Sequence, residues 1–83
     1  MKFKAEIDIM PHKELLDPQG KAVANSLHKL NFNGVTNVRV GKHITLHLEA
    51  ETKEAAEVQV VQACKKLLAN LIMESYQFSI TAE

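Results

Sequence analysis

Val38-Arg39-Val40-Gly41-Lys42-His43-Ile44-Thr45-Leu46-His47-Leu48 decides the fold. Apolar and polar residues alternate on both sides of Gly41-Lys42. Val38 and Val40 share one face before it, and Ile44, Leu46 and Leu48 share one after it. Period-two alternation is the mark of a half-buried strand, and a Gly between two such runs reads as a tight turn. The stretch therefore predicts a hairpin, with one strand over 35–41 and another beginning near His43.

Working outward, Phe3, Ala5, Ile7 and Ile9 alternate with Lys2, Lys4, Glu6 and Asp8, a strand that Pro11 ends. Asp17-Pro18 opens a helix, because Asp accepts from free first-turn N–H groups and Pro suits the first helical position. Val23, Leu27 and Leu30 make its narrow apolar stripe, and Asn31 to Gly34 is turn chemistry. Thr52 caps a second helix running to about Asn70, with Ala56, Val60, Ala63, Cys64, Leu67 and Leu71 as its main stripe. Val61, Leu68 and Ile72 widen that stripe to about half the circumference, more than the ~100° a core-facing helix needs. Tyr76, Phe78 and Ile80 alternate in a last strand. The order β-α-β-β-α-β predicts an α+β, ferredoxin-like domain over residues 1–83, with two helices on one face of a four-stranded antiparallel sheet.

A chain of 83 residues is a single domain whose small core is marginal alone. One cysteine permits no internal disulfide, so a partner is the natural source of further stability, and a reducing, cytoplasmic location is expected. Ten basic residues balance ten acidic ones, which gives no general attraction to nucleic acid or anionic membrane. No run reaches the roughly 20 apolar residues of a membrane helix.

The candidate chemical groups read as structural. His43 and His47 share a sheet face but lie about 13 Å apart along a strand, too far for one metal ion with bonds of roughly 2 Å. Cys64 falls inside an apolar stripe, where a thiol packs and does not react. The open sheet face carries Lys4, Glu6, Asp8, Arg39, His43, Thr45, His47 and Gln77, with no aromatic platform for RNA. Single glycines make no phosphate loop, and no nucleophile–base set appears. No catalytic, cofactor-binding or metal residue is therefore expected. The spare apolar arc of the second helix and the open sheet edges are surface for a partner.

Three blocks of sequence carry a family resemblance: Met10 through Val23, including Asp17-Pro18-Gln19-Gly20; Gly34-Val35 with Val38-Arg39-Val40-Gly41-Lys42; and Lys66-Leu67-Leu68-Ala69-Asn70 with Glu74, Tyr76 and Phe78. In this order they resemble PurS, the small subunit of phosphoribosylformylglycinamidine (FGAM) synthase. Two positions depart from the family pattern. Asn31 stands where Gly is usual, and Asn tolerates the left-handed conformation; Leu71 stands where Pro is usual, which lets the helix run slightly longer. The resemblance implies a bridging subunit without an active site, working as a dimer or higher oligomer. Its implied partners are a large PurL-like synthetase, which uses ATP and magnesium, and a PurQ-like glutaminase that supplies ammonia. Asp17, Pro18, Gln19 and Gly20, a helix N-terminus, and Arg39, Gly41 and Lys42, at the expected hairpin tip, are the candidate partner-binding residues. The rival reading is a regulatory module of the same fold that binds an amino acid at a dimer interface.

Overall fold

A computed structural model describes residues 1–13 and 17–83; Glu14, Leu15 and Leu16 of the first family block lie outside the described residues. Strand β1 (Lys2–Pro11) is followed by helix α1 (Pro18–Lys29), strand β2 (Lys42–Glu49), helix α2 (Lys53–Ala63), a π-helical turn (Cys64–Leu68) and strand β3 (Glu74–Ala82). The fold is α+β, with two helices and one antiparallel sheet in the order β2-β1-β3.

The sheet's inner face is built by the alternation visible in the sequence. Phe3, Ala5, Ile7 and Ile9 of β1 are buried, with Ile80 of β3 beside them, and the layer is closed by Ala56 and Val60 of α2 and Cys64 at the start of the π turn. Tyr76 and Phe78 stack with ring centroids 6.4 Å apart. The outer face is polar: His43 pairs with Asp8 at 2.6 Å, His47 pairs with Glu83, and Lys4 lies 3.7 Å from Glu6. Each of the two histidines thus has its own carboxylate. No group of His, Cys, Asp and Glu suited to a metal ion forms among the described residues.

The expected hairpin at Gly41-Lys42 is not formed, and the described sheet has three strands. The register that sets Ile9 opposite Lys42 continues, so Gly41 passes beside Met10 and the Arg39 side chain donates to Pro11 O. The chain runs from residues 35–40 straight into β2 without reversing. An isolated Gly between alternating runs looks the same in both cases; here neither Gly41 nor any other glycine takes a positive φ.

The second departure is α1. It packs on residues 35–40 and hardly touches the sheet. Helix and extended segment form an arm that projects from the body. The molecule measures 51 × 26 × 14 Å, with a radius of gyration of 16.4 Å, against about 12 Å for a compact chain of this length. The C-terminus of α1 follows the sequence reading more closely. Asn31 has φ 72°, Phe32 N bonds to Leu27 O and Asn31 N to His28 O, the hydrogen-bond pair of a Schellman cap.

The end of α2 differs as well. At 64–68 the helix turns with one residue more than an α-turn, and Ala69 N bonds to Cys64 O at 3.0 Å. The buried series is therefore Ala56, Val60, Cys64 and then Ala69, the last step being five residues. The extra residue rotates the following side chains by about 100°, which turns Leu67 out to 82% exposure. The helix stops at Leu68 and is not lengthened by Leu71. Asn70 makes the turn instead, its Oδ1 accepting from Ile72 N and its carbonyl from Met73 N and Glu74 N.

Candidate functional site at the arm joint

The family blocks converge where the arm leaves the body. Asp17 is the N-cap of α1: its Oδ1 accepts from Gly20 N at 3.0 Å, as a capping carboxylate does. Its Oδ2 accepts from Val40 N at 2.9 Å. One side chain thus ties the helix start to the strand segment. The Gly20 N–H bond, then that of Val40, holds the Asp17 carboxyl below the usual carboxylate range, with Arg39 adding its charge.

Gly20 faces the same segment. A Cβ here would overlap Val38 O and lie 2.7 Å from Asp17 Oδ2, so only glycine lets the helix lie this close. Gly41 has the matching position on the other side of the joint, where a Cβ would overlap Ile9 O and the Met10 sulfur. Arg39 reaches across to Pro11 O, and Lys42 Nζ lies 3.4 Å from Leu68 O. Pro18 and Gln19 are exposed. Both line an open cleft of about 420 Å³ with Val40, Asn70, Met73 and Glu74.

All the candidate partner-binding residues therefore gather around one joint. Asp17, Gly20, Arg39 and Gly41 each have an internal contact there, while Pro18 and Gln19 present free surface. A second cleft of about 540 Å³ lies beside it, lined by His12, Lys13, Lys21, Arg39 and Asn37 among others. Sequence reasoning placed Ile72 in a spare arc open to a partner, but it missed His12 and the exposure of Leu67 and Leu71. His12 Nε2 donates to Leu71 O at 3.2 Å, and His12 N to Met73 O at 2.9 Å. Leu67, Leu71, Ile72 and Met73 form an exposed apolar knob close to the joint. The helical spacing of Leu67 and Leu71 signalled a core stripe, and the π turn redirects it.

Cys64 is buried under the sheet, and burial pushes its thiol above the usual range. It stays protonated at neutral pH and acts as a small apolar side chain.

Residues 4–82 match the family model for PurS, phosphoribosylformylglycinamidine (FGAM) synthase. The chain belongs to the PurS family. It is 41% identical over 80 residues to the PurS subunit of phosphoribosylformylglycinamidine synthase from Synechocystis, covering 96% of this chain and 80% of that relative. The Bacillus subtilis PurS subunit is 36% identical, with 94% and 92% covered. A chain in the structure of PurLQS from Thermotoga maritima superposes with a TM-score of 0.89 at 34% identity, covering 98% of this chain and 99% of that one. B. subtilis PurS in a C2 crystal form gives 0.85 at 34%, covering 95% and 98%. As a PurS subunit of FGAM synthase, the chain serves purine biosynthesis, and the joint is built from the residues that carry the PurS resemblance. No helix among the described residues is long and apolar enough to cross a membrane.

Proposed function

We propose that this PurS chain is a non-catalytic bridging subunit, present as a dimer or higher oligomer in the cytoplasm. It joins a PurL-like synthetase, which uses ATP and magnesium, to a PurQ-like glutaminase and supports transfer of ammonia between them. The observation that carries the reading is the close likeness, over nearly the whole of both chains, to the chain in the T. maritima PurLQS structure. The unusual shape supports it: an arm joined to a small body leaves apolar residues uncovered on both, namely Leu30 and Phe32 on the arm and Leu67 and Ile72 on the body. Surfaces of that kind mark association sites. In this reading the four-stranded, ferredoxin-like layer exists only in the associated form.

The joint is the proposed docking surface, with Gln19, Arg39 and Lys42 as its polar contacts. The test is complex formation on size-exclusion chromatography with synthetase and glutaminase, using a chain with Gln19→Ala, Arg39→Ala and Lys42→Ala. A buried Arg anchor costs more than about 1 kcal/mol of binding when truncated. The triple variant is expected to lose the complex while still folding, as followed by circular dichroism. Intact assembly and intact glutamine-dependent turnover would move the docking surface to α2 and the apolar knob. Calorimetric titration with glutamine separates this reading from an amino-acid-binding module.

A further inference from the structure

The neutral charge of the whole chain conceals an uneven distribution. Ten basic and ten acidic residues cancel, yet three of the cations gather around one cleft. This is the cleft of about 540 Å³ between α1 and residues 36–39. Lys13 reaches it from the segment after β1, Lys21 from α1 and Arg39 from the extended segment. Asp17 is the one carboxylate among the described lining residues, and it is committed to backbone: its two oxygens accept from Gly20 N and Val40 N. Lys13, Lys21 and Arg39 form no ion pair among the described residues. A smaller cleft of about 360 Å³ continues from Lys13 and Arg39 toward Ser75 and Gln77. Its carboxylate, Asp8, is already paired with His43.

The three cations differ in what they offer. Arg39 is half-buried and donates to Pro11 O. A guanidinium carries five N–H donors in a fixed fork, so the Pro11 bond orients the group and leaves other donors for a ligand. That fork matches phosphate oxygens two at a time. Lys13 and Lys21 are exposed at the rim and act as point charges. The N-terminus of α1 adds no site of its own, because Asp17 already fills it. Charge and size together select the ligand. A phosphate ester carries about −1.5 to −2 near neutral pH, which answers several cations at once, whereas one carboxylate would leave most of them unmatched. The cleft lies within the range of roughly 300–1,000 Å³ that small-molecule sites occupy.

We propose that Lys13, Lys21 and Arg39 bind the phosphate of a small phosphate ester, and that the smaller cleft receives the rest of the molecule. The exposed Ser75 and Gln77 meet its hydroxyl or ring polar groups there. The proposal stands apart from the docking reading above and shares only Arg39 with it. A sugar phosphate and a nucleotide both supply the phosphate chemistry.

The test is calorimetric titration of the wild-type chain with ribose 5-phosphate and, separately, with ADP, at one fixed ionic strength because salt screens exposed charges. Ribose and adenosine, which lack the phosphate, are the controls. The expected result is saturable binding of one or both esters, one site per chain, and none of either control. Tighter binding of ribose 5-phosphate assigns the site to a sugar phosphate, and tighter binding of ADP assigns it to a nucleotide. A chain with Lys13→Ala and Lys21→Ala is expected to bind about 10-fold or more weakly, as the loss of one charged hydrogen bond would cause. Lys29→Ala, on the same helix but outside the cleft, should leave binding unchanged. Arg39 stays in place because it also holds the joint, so failure here is distinct from failure of the docking variant. A second measurement needs no variant: amide NMR shifts in the wild-type chain on adding the ester should be largest at Lys13, Lys21, Thr36 and Asn37. No saturable binding of either ester, undiminished affinity in the double variant, or shifts centred elsewhere overturns the proposal. If neither ester binds but the double variant loses the complex with synthetase and glutaminase, the groove belongs to an acidic segment of a partner and the proposal is likewise overturned.

Discussion

Replacing Gly20 by Ala sets two effects of opposite sign against each other. In a helix merely exposed to water, Gly→Ala stabilises by up to about 1 kcal/mol. In the joint, the new Cβ overlaps Val38 O. That oxygen belongs to backbone held in place by the Val40 N–H bond to Asp17, so no flexible side chain can move aside. Forcing such a contact costs about 1–3 kcal/mol, and a backbone obstacle lies at the upper end. The net expectation is a loss of about 1–2 kcal/mol, or a fall in Tm of roughly 5–15 °C for a domain this small. Thermal unfolding followed by circular dichroism at fixed protein concentration measures it. Ala22→Gly, on the exposed side of the same helix, is the control and should cost about 1 kcal/mol. A Gly20→Ala chain that melts higher than the parent would refute the close packing of α1 on residues 35–40.

Three further expectations follow from the same contacts. The Asp17 carboxyl is held below its ordinary value in the folded chain, so the unfolded chain takes up the proton first and stability falls as pH drops below about 3.8; Asp17→Asn should flatten that acid limb in urea titrations between pH 5 and pH 2, and an unchanged limb would mean that Asp17 does not hold the joint. Cys64 should react slowly with a thiol reagent at pH 8 in the native chain and rapidly in urea, because it is buried and its thiol is pushed up; equally fast labelling in both would remove it from the core. Leu67→Glu should change stability by no more than about 0.5 kcal/mol, as an exposed position does, whereas a regular helix would bury Leu67 and lose several times that on urea unfolding.

Local chemistry was legible wherever its partners were local. The alternation of Phe3, Ala5, Ile7 and Ile9 gives the central strand, and Asp17 and Thr52 cap the helices as their positions imply, with Thr52 Oγ1 accepting from Ala55 N at 3.1 Å. Asn31 takes the left-handed conformation its place in the turn requires. What the sequence concealed depends on distance or on phase. The second Asp17 bond reaches Val40, 23 residues away, and nothing near Asp17 announces it. Gly41 between two alternating runs is compatible with a reversal and with straight passage; the choice depends on which neighbour satisfies the strand. A π turn shifts the helical phase by one residue, and the Leu67-Leu71 spacing is regular enough to hide it. The candidate residues were found as two separate motifs, and only the fold makes them one joint.

The strand at the centre of the sheet is the first one synthesised. β1 must wait for residues 42–49 on one side and for residues 74–82 on the other. Until the last of these leaves the ribosome, Phe3, Ala5, Ile7 and Ile9 have an open edge beside them. Pairings between residues so far apart in sequence close slowly, and an unpaired apolar strand is open to wrong partners meanwhile. The charges that alternate with these residues, Lys2, Lys4, Glu6 and Asp8, therefore have a second use before the fold exists: they keep a waiting strand soluble. A chain ending at Met73 would leave β1 in that condition permanently, and it should collect in the insoluble fraction although it retains both helices and every residue of the joint except Glu74.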